Sequence, residues 1–574
     1  MLEGRSYAPK LKLSRSHYLS LMTKRPSQPL SAQAGGSDLP RFEEFEVEDF
    51  RDGKGSSRTQ EKKVLWIFIA LMSVICVMIV GALVSTNSGA GNIDASPAAA
   101  PTGSNDDFNP QQNWGAYSPY FDSGVPFTGI SKAALSGEYT LPFGMSYKQV
   151  HILHRHGDRF PSPGTVELMV SVADKLEAMT EPPADDGLMW LTTWNYTLGS
   201  DLLVGKGVAN MFDSGSRFWG SHGRLLYNAS WQAFWDDNLL KSNNVTTLAK
   251  PVLRATTQYR IQDSARAWAA GFFGTFGRPS SGIDPSQLYD LVLQVEADGI
   301  NNTLAGEFGC PNLSQDGAQL GGTYKKQWMH IYLKDAADRL QKLLPGYANL
   351  KTSDVLGMQD MCIFETAAYG SSAFCNLFTV NEWRGFEYHI DLKFFGDCGW
   401  GSSSAIGAAT GIPWLTELLA RLKHEYITEP TNGVNVTLTS NAETFPLHQP
   451  FYLDLTHDTV IYSVLSALQF DWIKEDLPTK YLKAPRQNIV SRLTPFGARL
   501  YVELIVDESH NEFIRLKLND RVLPLQDLKF CPENKLGFCP MDKFIQQLEW
   551  SISAINYEDL CYGNHEFADK SAAA

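Results

Sequence analysis

Arg155, His156 and Arg159 fall within five residues around Gly157, in the run RHGDRFP that follows the apolar stretch Val150 to Leu153. Two guanidiniums and an imidazole held that close repel one another unless an anion or carboxylates neutralise them. A phosphate group is the natural anion. Arginine forks match its oxygens two at a time, and a helix beginning just beyond the turn adds its partial positive charge. The plainer alternative is a structural arginine–carboxylate network. A third reading is metal binding, since His154, His156 and Asp158 spell H-x-H-x-D, the opening of a binuclear zinc motif. Arg159 stands where that motif has another histidine and would set a fixed cation beside a dication, so neither metal nor cofactor is expected. His151, earlier on the same apolar run, is expected to be a packed residue rather than a ligand.

The elements that must position these groups are legible on either side. VHIL passes through the charged run into a segment with Leu168, Val172, Leu176 and Met179 at helical spacing. Far along the chain, FYLDL (Phe451 to Leu455) passes through Thr456, His457 and Asp458 into Val460, Ile461, Val464, Leu465 and Leu468, again at helical spacing. Strand, polar junction, helix is the grammar of an open α/β sheet, whose sites form outside the carboxyl ends of the strands. Two such junctions can therefore meet in space.

The whole chain has 574 residues, 43% hydrophobic and 20% charged, an ordinary globular composition that excludes wholesale disorder and fibrous repeats. A net charge of −14 and a pI near 5.4 argue against a nucleic-acid partner, so any phosphate chemistry must be local. Residues 64–84 form an uncharged run of 21 positions, enough at about 1.5 Å per residue to cross a hydrocarbon layer of about 30 Å. Arg58, Lys62 and Lys63 precede it and the next basic residue is Lys132, so an uncleaved signal anchor with a cytoplasmic amino end is expected.

Residues 1–63 read as a disordered cytosolic tail carrying +3, which leaves −17 beyond the span. Residues 85–112 read as a flexible stalk, and 113–574 as the globular domain, outside the cell or in a secretory or vacuolar lumen. Six Asn-x-Ser/Thr acceptors, at Asn195, Asn228, Asn244, Asn301, Asn312 and Asn435, all follow the span, as glycosylation on that side requires.

The run Arg155 to Pro161 matches the R-H-G-x-R-x-P signature of the histidine acid phosphatases, and the chain resembles their fungal acid phosphatase and phytase group. Other resembling stretches follow in order: Arg254 in VLRAT, then GFFG, SDVLGMQDMCIFETAAYGSSAFCNLFTVNEW, FEYHIDLKFFG, LTELLARL, the His457-Asp458 pair, FGARLYVEL and NDRVLPL. The likeness runs from about residue 113 to about residue 563. His154 and Phe160 depart from the commoner residues of the group.

The resemblance implies a parallel-dominated α/β sheet flanked by helices, with a largely helical subdomain inserted somewhere within residues 160–385 and the site between the two parts. It implies His156 as nucleophile, forming a phosphohistidine that water hydrolyses. Arg155, Arg159, Arg254 and His457 would hold the phosphate, and Asp458 would protonate the leaving alcohol. It implies a Cys310–Cys561 bridge, while the close spacing of Cys362 with Cys375 and of Cys531 with Cys539 suggests local ones; Cys398 is left over and Cys76 falls in the apolar run. A phosphomutase, an animal-type inositol-polyphosphate phosphatase with H-A-E in place of His457-Asp458-Thr459, and a catalytically silent anchored glycoprotein are the rivals.

For substrate, Phe160 to Thr180 offers only Lys175 against Glu167, Asp174 and Glu177. Like charges disfavour a polyanion. The expectation is thus a broad acid phosphomonoesterase acting on small phosphate monoesters, with a phytase acting on inositol phosphates as the alternative.

Overall fold

Residues 108–131, 141–236, 239, 250–274 and 288–567 are described in the computed structural model. The expected tail (1–63), the anchor run (64–84) with Cys76, most of the stalk, and Asn244 lie outside them. Among the described residues no helix is long and apolar enough to cross a membrane.

Among the described residues before Met145, Phe108 has its ring centre 5.6 Å from the Arg384 guanidinium. Strand β1 (Met145–Arg155) leads to helices α1 (Pro163–Glu177) and α2 (Gly205–Phe218). Then come β2 (Val252–Thr256), α3 (Tyr259–Phe273) and β3 (Asp290–Gln294). A helical stretch follows: α4 (Gly321–Tyr332), α5 (Lys334–Leu343), α6 (Thr352–Tyr369), α7 (Val380–Cys398) and α8 (Ile412–Lys423). After it come β4 (Phe451–Thr456), α9 (Asp458–Leu468), β5 (Arg499–Asp507), β6 (Glu512–Leu518), β7 (Arg521–Val522), β8 (Phe538–Pro540) and α10 (Met541–Ala554).

One sheet runs β3-β2-β4-β1-β5-β6-β7, with β8 also on β6. The half β3-β2-β4-β1 is parallel, whereas β5, β6, β7 and β8 pair antiparallel, so the sheet is mixed rather than parallel-dominated. The reason is local. β5 and β6 are joined by the short link Glu508 to Asn511, and a connection that tight permits only an antiparallel pair. The helical part also differs from its expected bounds: α1 and α2 come between β1 and β2, and the rest lies between β3 and β4 and continues past residue 385 to Lys423.

Apolar side chains of α6 to α9, such as Met358, Ile363, Phe386, Leu415 and Leu465, share one core with Leu153 of β1 and with Leu500 and Leu504 of β5. A second core, on the other face of the sheet, packs Phe218, Trp268 and Phe272 on Ile152, Leu453 and Phe451. Disulfides join Cys310 to Cys561, Cys362 to Cys375 and Cys531 to Cys539, and Cys398 is a buried free thiol. The first bridge ties the end of the β3 connection to the carboxyl-terminal segment across 251 residues.

Candidate active site

β1 and β4 are adjacent and parallel, and Arg155 is the register partner of Thr456. The residues that follow each strand are therefore side by side: the His156 N–H donates to Thr456 O (3.2 Å), and the His156 and His457 rings lie 6.0 Å apart, nearly perpendicular. The turn holding His156 is closed by glycine. A Cβ on Gly157 would collide with Gly207 O, and one on Gly207 would collide with Asp158 O, so the loop lies backbone to backbone on the start of α2. The Gly157 N–H donates to Ser264 Oγ of α3 (3.2 Å).

His156 is 1% exposed. Its Nδ1 lies 2.8 Å from Gly157 O, which can only accept, so Nδ1 carries the hydrogen and Nε2 keeps its lone pair. Burial, and then Arg155, Arg260, Arg159 and His457, push the ring well below the ordinary imidazole range. An imidazole so surrounded by guanidiniums keeps a free lone pair on Nε2 in acid, which is what nucleophilic attack requires.

Arg155 is fully buried. Its Nη2 pairs with Asp458 Oδ2 at 2.7 Å, its Nη1 donates to Ala116 O and Thr494 O, and its guanidinium lies 4.5 Å from the Phe496 ring centre. Arg159 Nη1 donates to Phe160 O (2.8 Å), leaving its Nε without a partner. Asp458 opens α9 and its Oδ1 accepts from the Thr459 N–H (2.9 Å). Burial alone would raise the Asp458 carboxyl, but Arg155, Arg159, His457 and Lys393 together hold it below the ordinary carboxylate range.

Arg254 does not stand with this group. As a residue inside β2 it faces its register partner Asp454 of β4. Its Nε and Nη2 donate to the two Asp454 oxygens (2.6 and 2.9 Å), and Nη2 also pairs with Glu417 (2.6 Å). Arg421 and Trp414 complete the shell of Asp454 at 3.0 and 2.9 Å. This buried arginine–carboxylate network is separate from the RHGDRFP junction, where the pair is Arg155 with Asp458. The guanidinium next to His156 and Arg159 is that of Arg260, on the first turn of α3, with Asp201 3.4 Å away. It was missed from the sequence, as was the Gly115–Tyr117 segment that caps Arg155 from below.

The H-x-H-x-D residues diverge. His154 Nε2 lies 2.8 Å from Ser214 Oγ and its Nδ1 2.7 Å from Arg155 O, while Asp158 accepts from Asn210 Nδ2 (2.7 Å). Among the described residues no group of three histidine, cysteine or acidic side chains is arranged to hold a metal. His151 stacks on Tyr452, with ring centres 4.7 Å apart.

Of the acceptor asparagines, Asn195 and Asn228 are exposed and Asn301 and Asn435 half-buried. Asn312 is buried, and its amide donates to Leu560 O and Gly563 O, so both hydrogens a glycan would compete with are engaged. It is not an available acceptor in the folded chain.

A cation remote from the RHGDRFP run also acts on the site: Lys393 of α7, itself paired with Asp397 (3.1 Å), acts electrostatically on Asp458 and Tyr117. Lys175, the lysine counted near the signature, is instead paired with Asp354 (2.5 Å).

Residues 147–519 match the sequence profile of the histidine phosphatase superfamily (branch 2). Phytase A of Aspergillus fumigatus is 30% identical over 455 residues, covering 77% of this chain and 89% of that protein. Phytase A of Arthroderma benhamiae is 31% identical over 464 residues, covering 78% and 91%. Among solved structures, the phytase from D. castellii superposes with a TM-score of 0.63 at 21% identity, covering 81% of this chain and 91% of that one, a likeness of fold.

Proposed function

The chain belongs to the histidine phosphatase superfamily (branch 2), and from that premise we propose that it is a phytase-type phosphomonoesterase that hydrolyses inositol phosphates through a phosphohistidine on His156. The observation that carries the chemistry is the His156 ring, hydrogen-bonded through Nδ1 so that Nε2 is free, amid Arg155, Arg159 and Arg260.

The phosphoryl oxygens are held by Arg155, Arg159 and Arg260, with His457 and the amino terminus of α9 beside them. His156 Nε2 attacks phosphorus, the P–O bond to the leaving group breaks, and the proton of Asp458 goes to the departing oxygen. Water then attacks phosphorus and gives a proton to Asp458, the P–N bond breaks with its electron pair returning to His156 Nε2, and inorganic phosphate leaves. Charge developing on the transferred group is met by fixed guanidiniums rather than by an ion.

For the substrate, the relatives support the phytase alternative better than the broad-specificity reading. The count over Phe160 to Thr180 leaves out the cations that act on the site from other elements, Arg260 of α3 and Lys393 of α7. Asp360, the buried carboxyl facing Lys325, is pushed by burial up to about 7 and so is neutral in acid, where it does not oppose a polyanion. The test is kcat/KM for phytate and for a small alkyl phosphate at acidic pH; a preference for the alkyl phosphate returns the protein to the broad class.

For location, the proposal is a single-pass membrane protein anchored by residues 64–84, its catalytic domain outside the cell or in a secretory or vacuolar lumen. It is supported by the length of the uncharged run and by Arg58, Lys62 and Lys63 before it. Protease added outside sealed vesicles should clip only the amino-terminal tail; a protected tail reverses the orientation.

A further inference from the structure

Glu296 lies two residues beyond the end of β3, on the far side of β2 from β4, yet its Oε1 is 2.7 Å from His457 Nε2. The carboxylate is not a loose surface group. Its side chain is 4% exposed, Gln258 Nε2 donates to Oε2, and the Glu296 N–H donates to Thr257 Oγ1 (3.1 Å). Gln258 and Thr257 both belong to the link between β2 and α3, next to the helical turn that carries Arg260. Glu296 thus joins the ends of three neighbouring strands at the site.

A carboxylate can only accept, so the hydrogen on His457 Nε2 points at Glu296 and the ring's other nitrogen, Nδ1, is left for a ligand. The carboxyl lies below its ordinary range: burial would raise it, but the hydrogen bond and charge of His457, Thr256 and Arg260 outweigh that. The other titratable and charged groups facing the pair are Asp458, Glu307, Arg260 and, across 6.0 Å, His156. His156 has guanidiniums around it and a carbonyl at Nδ1, whereas His457 has a carboxylate at Nε2. Two imidazoles side by side are thereby held by different partners and through opposite ring nitrogens.

We propose that Glu296 is a positioning residue of the reaction: by accepting from His457 Nε2 it fixes the orientation of the ring, so that the edge carrying Nδ1 is held toward the phosphoryl group. This rests on the reading of His457 as a phosphate-facing residue.

The experiment is a double-mutant cycle on the full-length protein, using Glu296→Ala and His457→Ala singly and together, with Glu296→Gln as the conservative variant and p-nitrophenyl phosphate as substrate. Glu296→Ala should lower kcat/KM by roughly 10–100-fold in the wild-type background and by less than about threefold in the His457→Ala background, as expected of coupled neighbours. Glu296→Gln, whose amide oxygen can still accept from Nε2–H, should recover part of the loss. Equal losses in both backgrounds, or a Gln variant no better than Ala with an unchanged melting temperature, would overturn the proposal. Should Glu296→Ala not fold, the Gln variant in the two His457 backgrounds decides by the same criterion. Wild-type protein inactive on every phosphomonoester would instead defeat the phosphatase reading itself, a distinct result.

Discussion

Arg155 Nη2 stands 2.7 Å from Asp458 Oδ2, so before substrate arrives the proposed acid is the counter-ion of a proposed phosphate clamp. The pair explains how a cluster of buried cations is tolerated without substrate, since each guanidinium needs an anionic partner. It also means that Asp458 is ionised when it is free and must gain a proton to act. A phosphoryl dianion that takes up Arg155 both removes the charge that depressed the Asp458 carboxyl and supplies one that raises it. Binding and protonation are then one coupled event.

Proton uptake on anion binding is the direct consequence. Sulfate, whose own charge is constant in mild acid, should bind at about pH 5 with uptake of a fraction of a proton, read as a binding enthalpy that varies with the ionisation enthalpy of the buffer. In Asp458→Asn that dependence should largely vanish. Release of protons, or the same dependence in both proteins, would show that Asp458 keeps its ionised state in the complex.

Leaving-group chemistry separates the proposed acid from a merely electrostatic carboxylate. Asp458→Asn should reduce turnover of an alkyl phosphate by about 10²–10⁴-fold, the range of general acid catalysis, and that of p-nitrophenyl phosphate by much less, because its phenolate leaves without a proton. Equal losses on the two substrates would remove Asp458 from that role.

The Asp360 carboxyl, 6% exposed on α6, is pushed by burial up to about 7 against the pull of Lys325. Its folded value lies above the unfolded one of about 4, so the native state binds the extra proton and stability from this group is lost as pH rises through the folded value. About three pH units correspond to about 4 kcal/mol at most. Asp360→Asn should therefore lose less stability than wild type between about pH 4.5 and pH 7.5 in urea titrations, while Asp391, which titrates in the same range, cancels in the comparison. Parallel losses in the two proteins would contradict the assignment.

The charged junctions were legible because each is a contiguous word at the end of an apolar run: Arg155-His156-Gly157 after β1 and His457-Asp458 after β4. Arg260 was missed for a physical reason. Arg254 is the arginine of the apolar run itself, but a residue inside a parallel strand faces its cross-strand neighbours, and only residues beyond the carboxyl end face the crevice. Applied to β2, that rule selects Arg260, on the first helical turn after the strand; applied to β3 it selects Glu296. The antiparallel half had its own signal in the few residues joining β5 to β6. There the Asp507 carboxylate accepts from the Ser509 and Asn511 N–H groups, a turn that FGARLYVEL alone does not contain. Nothing in local sequence reveals that Lys393 acts on Asp458, because helix packing brings it there.

The two arginines near β2 should therefore fail in different ways. Arg260→Ala removes a half-buried cation whose carboxylate neighbour, Asp201, lies 3.4 Å away, so the fold should survive. KM for phosphomonoesters should rise and kcat/KM fall by roughly 10²-fold or more, the scale of losing a charge-assisted contact made in the transition state. Arg254→Ala leaves Asp454 and Glu417 buried with fewer cations, Arg421 alone facing Asp454, and breaking such a pair costs about 3–5 kcal/mol. Its signature is a large drop in melting temperature, with KM close to wild type in whatever fraction remains folded at low temperature. If Arg254→Ala were instead stable and lost phosphate affinity while Arg260→Ala kept it, Arg254 would be the third phosphate-binding arginine. The guanidinium would then have to leave Asp454 when substrate binds.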